Sequence, residues 1–305
     1  MNEGRTTPVE FKILLERFNL LDGYDNLAND QLGKTLEGWN LLEENNRKKE
    51  QVIASYQKWS FTTSFLQMIN AWQWFFSGVL LGRQAYLPAQ SMQMYYYSIF
   101  FSYGAFLSAQ CKGHYTVETK LEQDNKAKKT RKEVWLNTKS DGTSCIEIKD
   151  KGRGGEHEIR SDWFYAVFKQ WDFKASHPNV LYFKDNPEFH SSNRNLFTYS
   201  LSDMSEELYS IPEERSAPPS NEILISLWNR EKDWLNYYPE EFVALEHIKV
   251  VVDLHTRLLK GYDNNFPYSQ QQILLLKNLC DHHINNGLIQ LLKESMPIIL
   301  EPIEK

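Results

Sequence analysis

A chain of 305 residues is long enough to bury a substantial core, as two domains or as one domain carrying large insertions. An aromatic content of 14%, with nine Trp against 14 Gly and 11 Pro, excludes a disordered or low-complexity polymer and suits well-packed helices. The net charge of −6 excludes a surface coated in positive charge, so any contact with nucleic acid has to come from a local patch.

Apolar residues at helical spacing over 8–21 predict an N-terminal helix that ends near Asp22-Gly23, and a second helix starts around Asp30. From Trp59 to Cys111 the only formal charge is Arg83, which leaves two uncharged stretches. Thr63, Gln67, Asn70, Gln73 and Ser77 run down the first as a polar stripe that lipid would not tolerate unpaired, so two central helices of a bundle are expected and no membrane span. Residues 83–88 separate them, and Ala89–Cys111 forms the second, aromatic helix.

Beyond Gly113 the pattern changes. Glu133–Lys139, Ser144–Asp150 and Glu156–Arg160 are short runs bounded by Ser140-Asp141-Gly142 and by Gly152, Gly154 and Gly155, which predicts a small antiparallel meander inserted at about 115–160. Helical spacing returns at Trp163–Trp171 and over 193–204; Pro212, Pro218 and Pro219 mark a loop, followed by helices over 223–237, 239–259 and 270–292. The expected class is mostly α, divided into an N-terminal helical segment (1–58), a helical bundle with the β insertion (59–260) and C-terminal helices packed on it (261–305).

Cys111, Cys145 and Cys280 are far apart and form no CxxC pair, so neither a disulfide framework nor a zinc site is indicated. No metal or cofactor is expected, and a cytoplasmic location is the default for a chain whose N-terminus shows no apolar leader. Gly-rich phosphate loops, nucleophile elbows and paired metal-ligand helix motifs are absent from the sequence.

Two stretches carry the chemistry: Tyr95-Tyr96-Tyr97-Ser98-Ile99-Phe100-Phe101 in the aromatic helix, and Arg194-Asn195-Leu196-Phe197-Thr198-Tyr199. Together they resemble the HEPN superfamily, in which an aromatic, Ser-containing helix packs beside a helix carrying Arg, usually Asn, a short spacer and His. The resemblance covers residues 91–112, His114 and 193–203, with 240–259 as the closing helix, well under half of the chain. It implies a helical bundle, a homodimer with a shared cleft, and metal-independent RNA cleavage in a prokaryotic defence or toxin-antitoxin setting, with a partner protein. Tyr199 stands where the family has His, which leaves open an endoribonuclease or a catalytically inert interaction subunit.

In the first reading Arg194 holds phosphate through its bidentate guanidinium and Asn195 hydrogen-bonds phosphate or base. Tyr199 donates a hydrogen bond or proton, while His190, one helical turn before Arg194, or His114 supplies the base. Lys126, Lys128, Lys129, Arg131 and Lys132 are the candidate RNA-binding run, in a loop or strand lead-in. The bland readings are an Arg194 salt bridge inside the bundle, a half-buried Tyr199 and a solvated basic loop. His157 in Arg-Gly-Gly-Glu-His reads as hairpin-tip charge, His282-His283 as a helix end, and His247 and His255 as surface or core residues. A homodimer is also expected because the uncharged surface of 59–111 exceeds what one small bundle would hide.

Overall fold

The computed structural model describes residues 44–84, 88–120, 127–151, 156–184, 219–230 and 238–259. Within them lie six α-helices and one sheet: α1 (Glu50–Gln84), α2 (Pro88–Ala109), β1 (Lys112–Lys120), β2 (Ala127–Thr138), β3 (Ser144–Lys151), α3 (Glu156–Phe168), α4 (Pro178–Lys184), α5 (Asn221–Asn229) and α6 (Pro239–Leu259). The mostly α class with a small antiparallel insertion is the observed one. None of the described helices is long and apolar enough to cross a membrane. The helices expected over 8–21, from Asp30, over 193–204 and over 270–292 fall outside the described residues.

The centre of the fold is the antiparallel pair α1 and α2, and small residues set its spacing. Ser64 Oγ donates to the Ala105 carbonyl (2.6 Å), Ser98 Oγ to the Ala71 carbonyl (2.8 Å) and Ser91 Oγ to the Gly78 carbonyl (2.6 Å). Each facing pair lies seven residues further along α1 and seven further back along α2 than the one before. A repeat of seven keeps one seam of two helices in register along their length. Because the seam residues are Ser, Ala and Gly, the backbones come close enough for hydroxyls of one helix to reach carbonyls of the other. The seam's polar atoms are thereby satisfied without water.

Large aromatics flank the seam. Trp72, Phe75, Phe76, Tyr95, Phe106, Phe164 and Phe168 are buried, with Trp72 stacked on Phe76 at 5.3 Å and Phe106 edge-on to Phe164 at 5.0 Å. Tyr182 is the one exposed large hydrophobic side chain among the described residues. Among the described residues of 59–111, the large apolar side chains are buried or half-buried.

α2 ends where Cys111 takes a left-handed backbone (φ 54°), which turns the chain from helix into β1. The Cys111 carbonyl accepts from the Leu136 amide (3.1 Å), and the Tyr56 hydroxyl is shared between the carbonyls of Cys111 and Val134 (both 3.1 Å), tying the sheet to α1. The sheet is a meander in the order β1-β2-β3. Val134 and Ile146 are buried, and Leu136 and Ile148 pack against the core from the same face. Asp141 accepts from the Thr143 amide (2.9 Å) and hydroxyl (2.6 Å) and Gly142 takes φ 84°, closing the β2–β3 hairpin as the turn signal predicts.

Two expectations are corrected and one is decided. The strands start earlier, so His114 lies in β1 instead of closing the aromatic helix. Of the two settings open for the basic run, loop or strand lead-in, the strand is the observed one and extends further back: Lys128, Lys129, Arg131 and Lys132 lie in β2, paired with β1, while Lys126 lies outside the described residues. Glu156–Arg160 is the first turn of α3 and not a third strand. Ile159, Phe164, Val167 and Phe168 form one buried helical face, and that burial outweighs the local glycine signal.

The seam predicts the effect of filling it. A methyl at Gly78 would sit 2.7 Å from Cε1 of the buried Tyr95 and 3.1 Å from the Ser91 carbonyl, neither of which can swing away. Gly78→Ala is expected to destabilise the protein by about 1–2 kcal/mol, despite the roughly 1 kcal/mol of helix propensity that alanine adds, as a lowered Tm in thermal unfolding.

Candidate functional site

Arg194, Asn195, Tyr199 and His190 lie outside the described residues. What the described residues do bring together is a second group of the same chemical types, where α3 crosses the aromatic helix α2. His157 Nδ1 is 2.8 Å from the Tyr96 hydroxyl, and its ring lies 4.1 Å from the ring of Phe100. One turn along, the Arg160 guanidinium sits over the same Phe100 ring, 3.9 Å from its centre. His157 and Arg160 are three residues apart and so share one face of α3. Both are half-buried, as are Tyr96 and Tyr97.

Gly104 makes this approach possible. A Cβ there would lie 2.9 Å from an Arg160 terminal nitrogen and 2.8 Å from Gln67 Oε1. Beside the cluster, Trp74 tilts against Tyr97 at 4.9 Å and stacks on Phe101 at 6.2 Å, so aromatic faces continue across α1 and α2. Imidazole moves protons near neutral pH, guanidinium binds phosphate, and a phenol donates or accepts a hydrogen bond. This arrangement therefore holds groups able to handle a proton and an anion at one helix crossing.

In the sequence His157 reads as hairpin-tip charge and Arg160 carries no signal of its own, because Gly152, Gly154 and Gly155 announce a turn. The signal that finds them is the helical pattern of α3 read backwards from Phe168 and Phe164 to Ser161 and His157, positions three to four apart.

The other histidines hold the core together. His247 is buried and donates from Nδ1 to the Val243 carbonyl (2.7 Å); in the neutral ring Nε2 then accepts from the Tyr165 hydroxyl (3.2 Å). Tyr165 in turn accepts from Tyr103 (3.1 Å), whose hydroxyl also meets Ser161. Burial, reinforced by neighbouring Tyr165, pushes the Tyr103 phenol far above its usual range, so the chain stays neutral. It joins α2, α3 and α6 through one line of hydrogen bonds.

Ser64 and His255 form a Ser–His pair (2.8 Å) but not a nucleophile. Ser64 already donates its proton to the Ala105 carbonyl, so it can only accept from His255 Nε2, the reverse of what an activated serine requires.

At the far side of α6, Arg230 makes a bidentate pair with the buried Glu246 (2.7 Å to each oxygen) and donates to the Ser176 carbonyl (2.7 Å). Its third contact, 3.3 Å to His177 Nδ1, requires that nitrogen to accept, which leaves Nε2–H to donate to Asp253 (2.8 Å). Burial opposes ionisation of Asp253, but the His177 hydrogen bond and the charges of Arg257 and Lys249 hold its carboxyl below the usual range overall. This network locks α4, α5 and α6 together. Among the described residues no group of His, Cys, Asp and Glu is placed to hold a metal ion.

Of the predicted RNA-binding run, Lys132 is engaged in an ion pair with Asp150 of β3. Lys128 pairs in register with Thr119, Lys129 with Glu118 and Arg131 with Thr116. No protein family, curated protein or solved structure matches the chain.

The buried His255 makes a pH prediction. Burial lowers its pKa from an ordinary 6.5 to about 3, so between those values the unfolded chain takes up a proton that the folded chain refuses. Its stabilising contribution is present above the unfolded value and is lost as pH falls, at up to about 1.4 kcal/mol per pH unit. Tm followed from about pH 7 to about pH 4 is expected to fall more steeply for the wild type than for His255→Gln, which lacks the titrating ring.

Proposed function

We propose that the protein is an RNA-directed, HEPN-like helical protein acting as a metal-independent endoribonuclease. The observation that carries this reading is the His157–Tyr96 hydrogen bond with Arg160 one turn away, seated on the aromatic helix that the resemblance singles out. The chemistry needs three things: acceptance of the ribose 2′-hydroxyl proton, stabilisation of charge growing on the phosphate, and protonation of the departing 5′-oxygen. As the 2′-oxygen bonds to phosphorus, its proton passes to a histidine, His157 or the sequence-assigned His190, and the bond to the 5′-oxygen breaks. Arg160 or Arg194 stabilises the pentacoordinate charge, and Tyr96 or Tyr199 donates toward the leaving oxygen. No step calls for a metal. A homodimer with a shared cleft and a place in a defence or toxin-antitoxin system follow from the same resemblance and belong to the same proposal.

A second reading has its own observation. The His157 and Arg160 side chains both lie against one ring, Phe100, an arrangement that also serves packing, and Tyr199 replaces the family's histidine. On that reading the protein is a catalytically inert subunit that docks a partner protein.

Incubation of the purified protein with total RNA in the presence of EDTA separates the two. For the nuclease, cleavage persists in EDTA and Arg194→Ala abolishes it. His157→Ala then lowers the rate by about a hundredfold or more without changing Tm, and Tyr199→His raises it. If neither the wild type nor Tyr199→His cuts RNA, and His157→Ala and Arg160→Ala lower Tm, the interaction-subunit reading replaces the nuclease.

A further inference from the structure

Beside the seam of α1 and α2 runs a second row with the same seven-residue step. On α1 it holds Gln67, Asn70 and Trp74, three and four residues apart, and on α2 Tyr97, Phe101 and Gly104, four and three apart, so each set shares one helix face. Trp74 meets Tyr97 at 4.9 Å and Phe101 at 6.2 Å, and Gln67 lies against Gly104, so the two sets face each other. α3 reaches the same α2 residues. The His157 ring lies 6.1 Å from that of Tyr97, and Arg160 closes on Gly104 beside Gln67. Tyr97, Phe101 and Gly104 therefore floor a short furrow between α1 and α3, whose side chains come together over Gly104, where a Cβ has no room.

Three features set this row apart from the core. Phe75, Phe76 and Phe106 are fully buried, whereas Gln67, Asn70, Trp74, Tyr97 and Phe101 are half-buried. The carboxamides are also unused: Gln67 Oε1 is buried with no hydrogen-bond partner, and no hydrogen bond to the Asn70 side chain is found among the described residues. A buried acceptor left alone costs free energy, so its placement needs a cause. The Arg160 guanidinium over Gly104 draws the Gln67 oxygen inward, and the exposure Gln67 retains falls on the rest of the residue, whose amide nitrogen carries two donors. Finally, the α1 and α2 sides bear no charge, since the one charge between Trp59 and Cys111 is Arg83. Rings beside carboxamides fit a flat, uncharged group edged with donors and acceptors. An unpaired nucleobase is such a group, held by stacking on aromatic faces and by hydrogen bonds to its edge.

We infer that this furrow holds one unpaired base of an RNA strand, stacked on the aromatic surface of Trp74 and Tyr97, with its edge hydrogen-bonded by Asn70 and Gln67. This rests on the RNA-directed reading and names the part of the substrate that the aromatic helix recognises. His157 and Arg160, which handle the ribose proton and the phosphate charge in that reading, border the same furrow, so a seated base brings its own sugar and phosphate to the helix crossing. Contacts to a base from uncharged side chains add affinity that salt does not screen, and a preference among bases that phosphate contacts do not carry.

The test titrates the full chain, by fluorescence anisotropy, against labelled single-stranded homopolymers of each RNA base and against an abasic ribose-phosphate oligomer of the same length. The preferred homopolymer is expected to bind about tenfold more tightly than the abasic oligomer, and Trp74→Ala to remove about that factor. Trp74→Phe, which keeps a ring, is expected to lose less. Asn70→Ala is expected to narrow the preference among homopolymers by about fivefold, and all three variants to bind the abasic oligomer as the wild type does. Side chains that only pack the helices would instead shift every oligomer alike. Should Trp74→Ala fail to fold, Trp74→Phe and Asn70→Ala carry the test. Abasic and base-bearing oligomers bound equally by the wild type, or affinities that the variants change equally or not at all, overturn the furrow and leave the RNA-directed reading standing. No binding of any oligomer at low salt overturns both and leaves this face to a partner protein.

Discussion

Everything described in this fold depends on how closely α1 and α2 approach. The facing pairs Ser64 with Ala105, Ala71 with Ser98 and Gly78 with Ser91 allow that approach, and each pair is closed by a serine hydroxyl on a carbonyl of the opposite helix. Larger residues on the seam would push the helices apart and leave those hydroxyls buried without partners, at a cost of a few kcal/mol. With the seam closed, the aromatics beside it meet as an interlocked core: Phe75 against Tyr95, Trp72 against Phe76, Tyr103 against Phe164.

The remaining helices are placed on this pair by polar lines through an otherwise aromatic interior. The hydrogen bonds from Ser161 through Tyr103 and Tyr165 to His247 fix α3 and α6 against α2 in one rotational setting, since each group can donate only one proton. Packing alone tolerates small rotations of a helix, whereas a directional line of bonds does not. That setting brings His157 to Tyr96 and Arg160 to Phe100. The Arg230–Glu246 pair performs the same service for α4, α5 and α6, and its burial makes it costly to break from either side.

The proposed function draws on the helix crossing built on this frame, where a histidine, a phenol and a guanidinium meet. The sheet gives its inner face to the core. Register places four basic positions from outside the Lys126–Lys132 run, 112, 120, 149 and 151, on the same face of the sheet as positions 129 and 131, and positions 128 and 132 on the other. Strand alternation explains the sorting: neighbours in sequence face opposite ways, and residues on adjacent strands become neighbours.

Local pattern was enough for much of the architecture. The uncharged stretch broken near Arg83, the aromatic helix, the Asp141-Gly142 hairpin and the α6 limits from Pro239 to Leu259 were all legible, because apolar periodicity, proline and turn chemistry act within a few residues. Legibility failed where a distant partner overrode a local signal. Glycines beside Glu156 announce a turn, yet the buried face of α3 makes a helix there; the basic run reads as loop or strand lead-in, and pairing with β1 decides for strand. The sequence by itself determined which residue types were available: aromatic helices, an acidic chain with a basic run, and small residues at a spacing of seven. Only the tertiary structure decided which of them meet, because the pairing of His157 with Tyr96 depends on the packing of elements far apart in the chain.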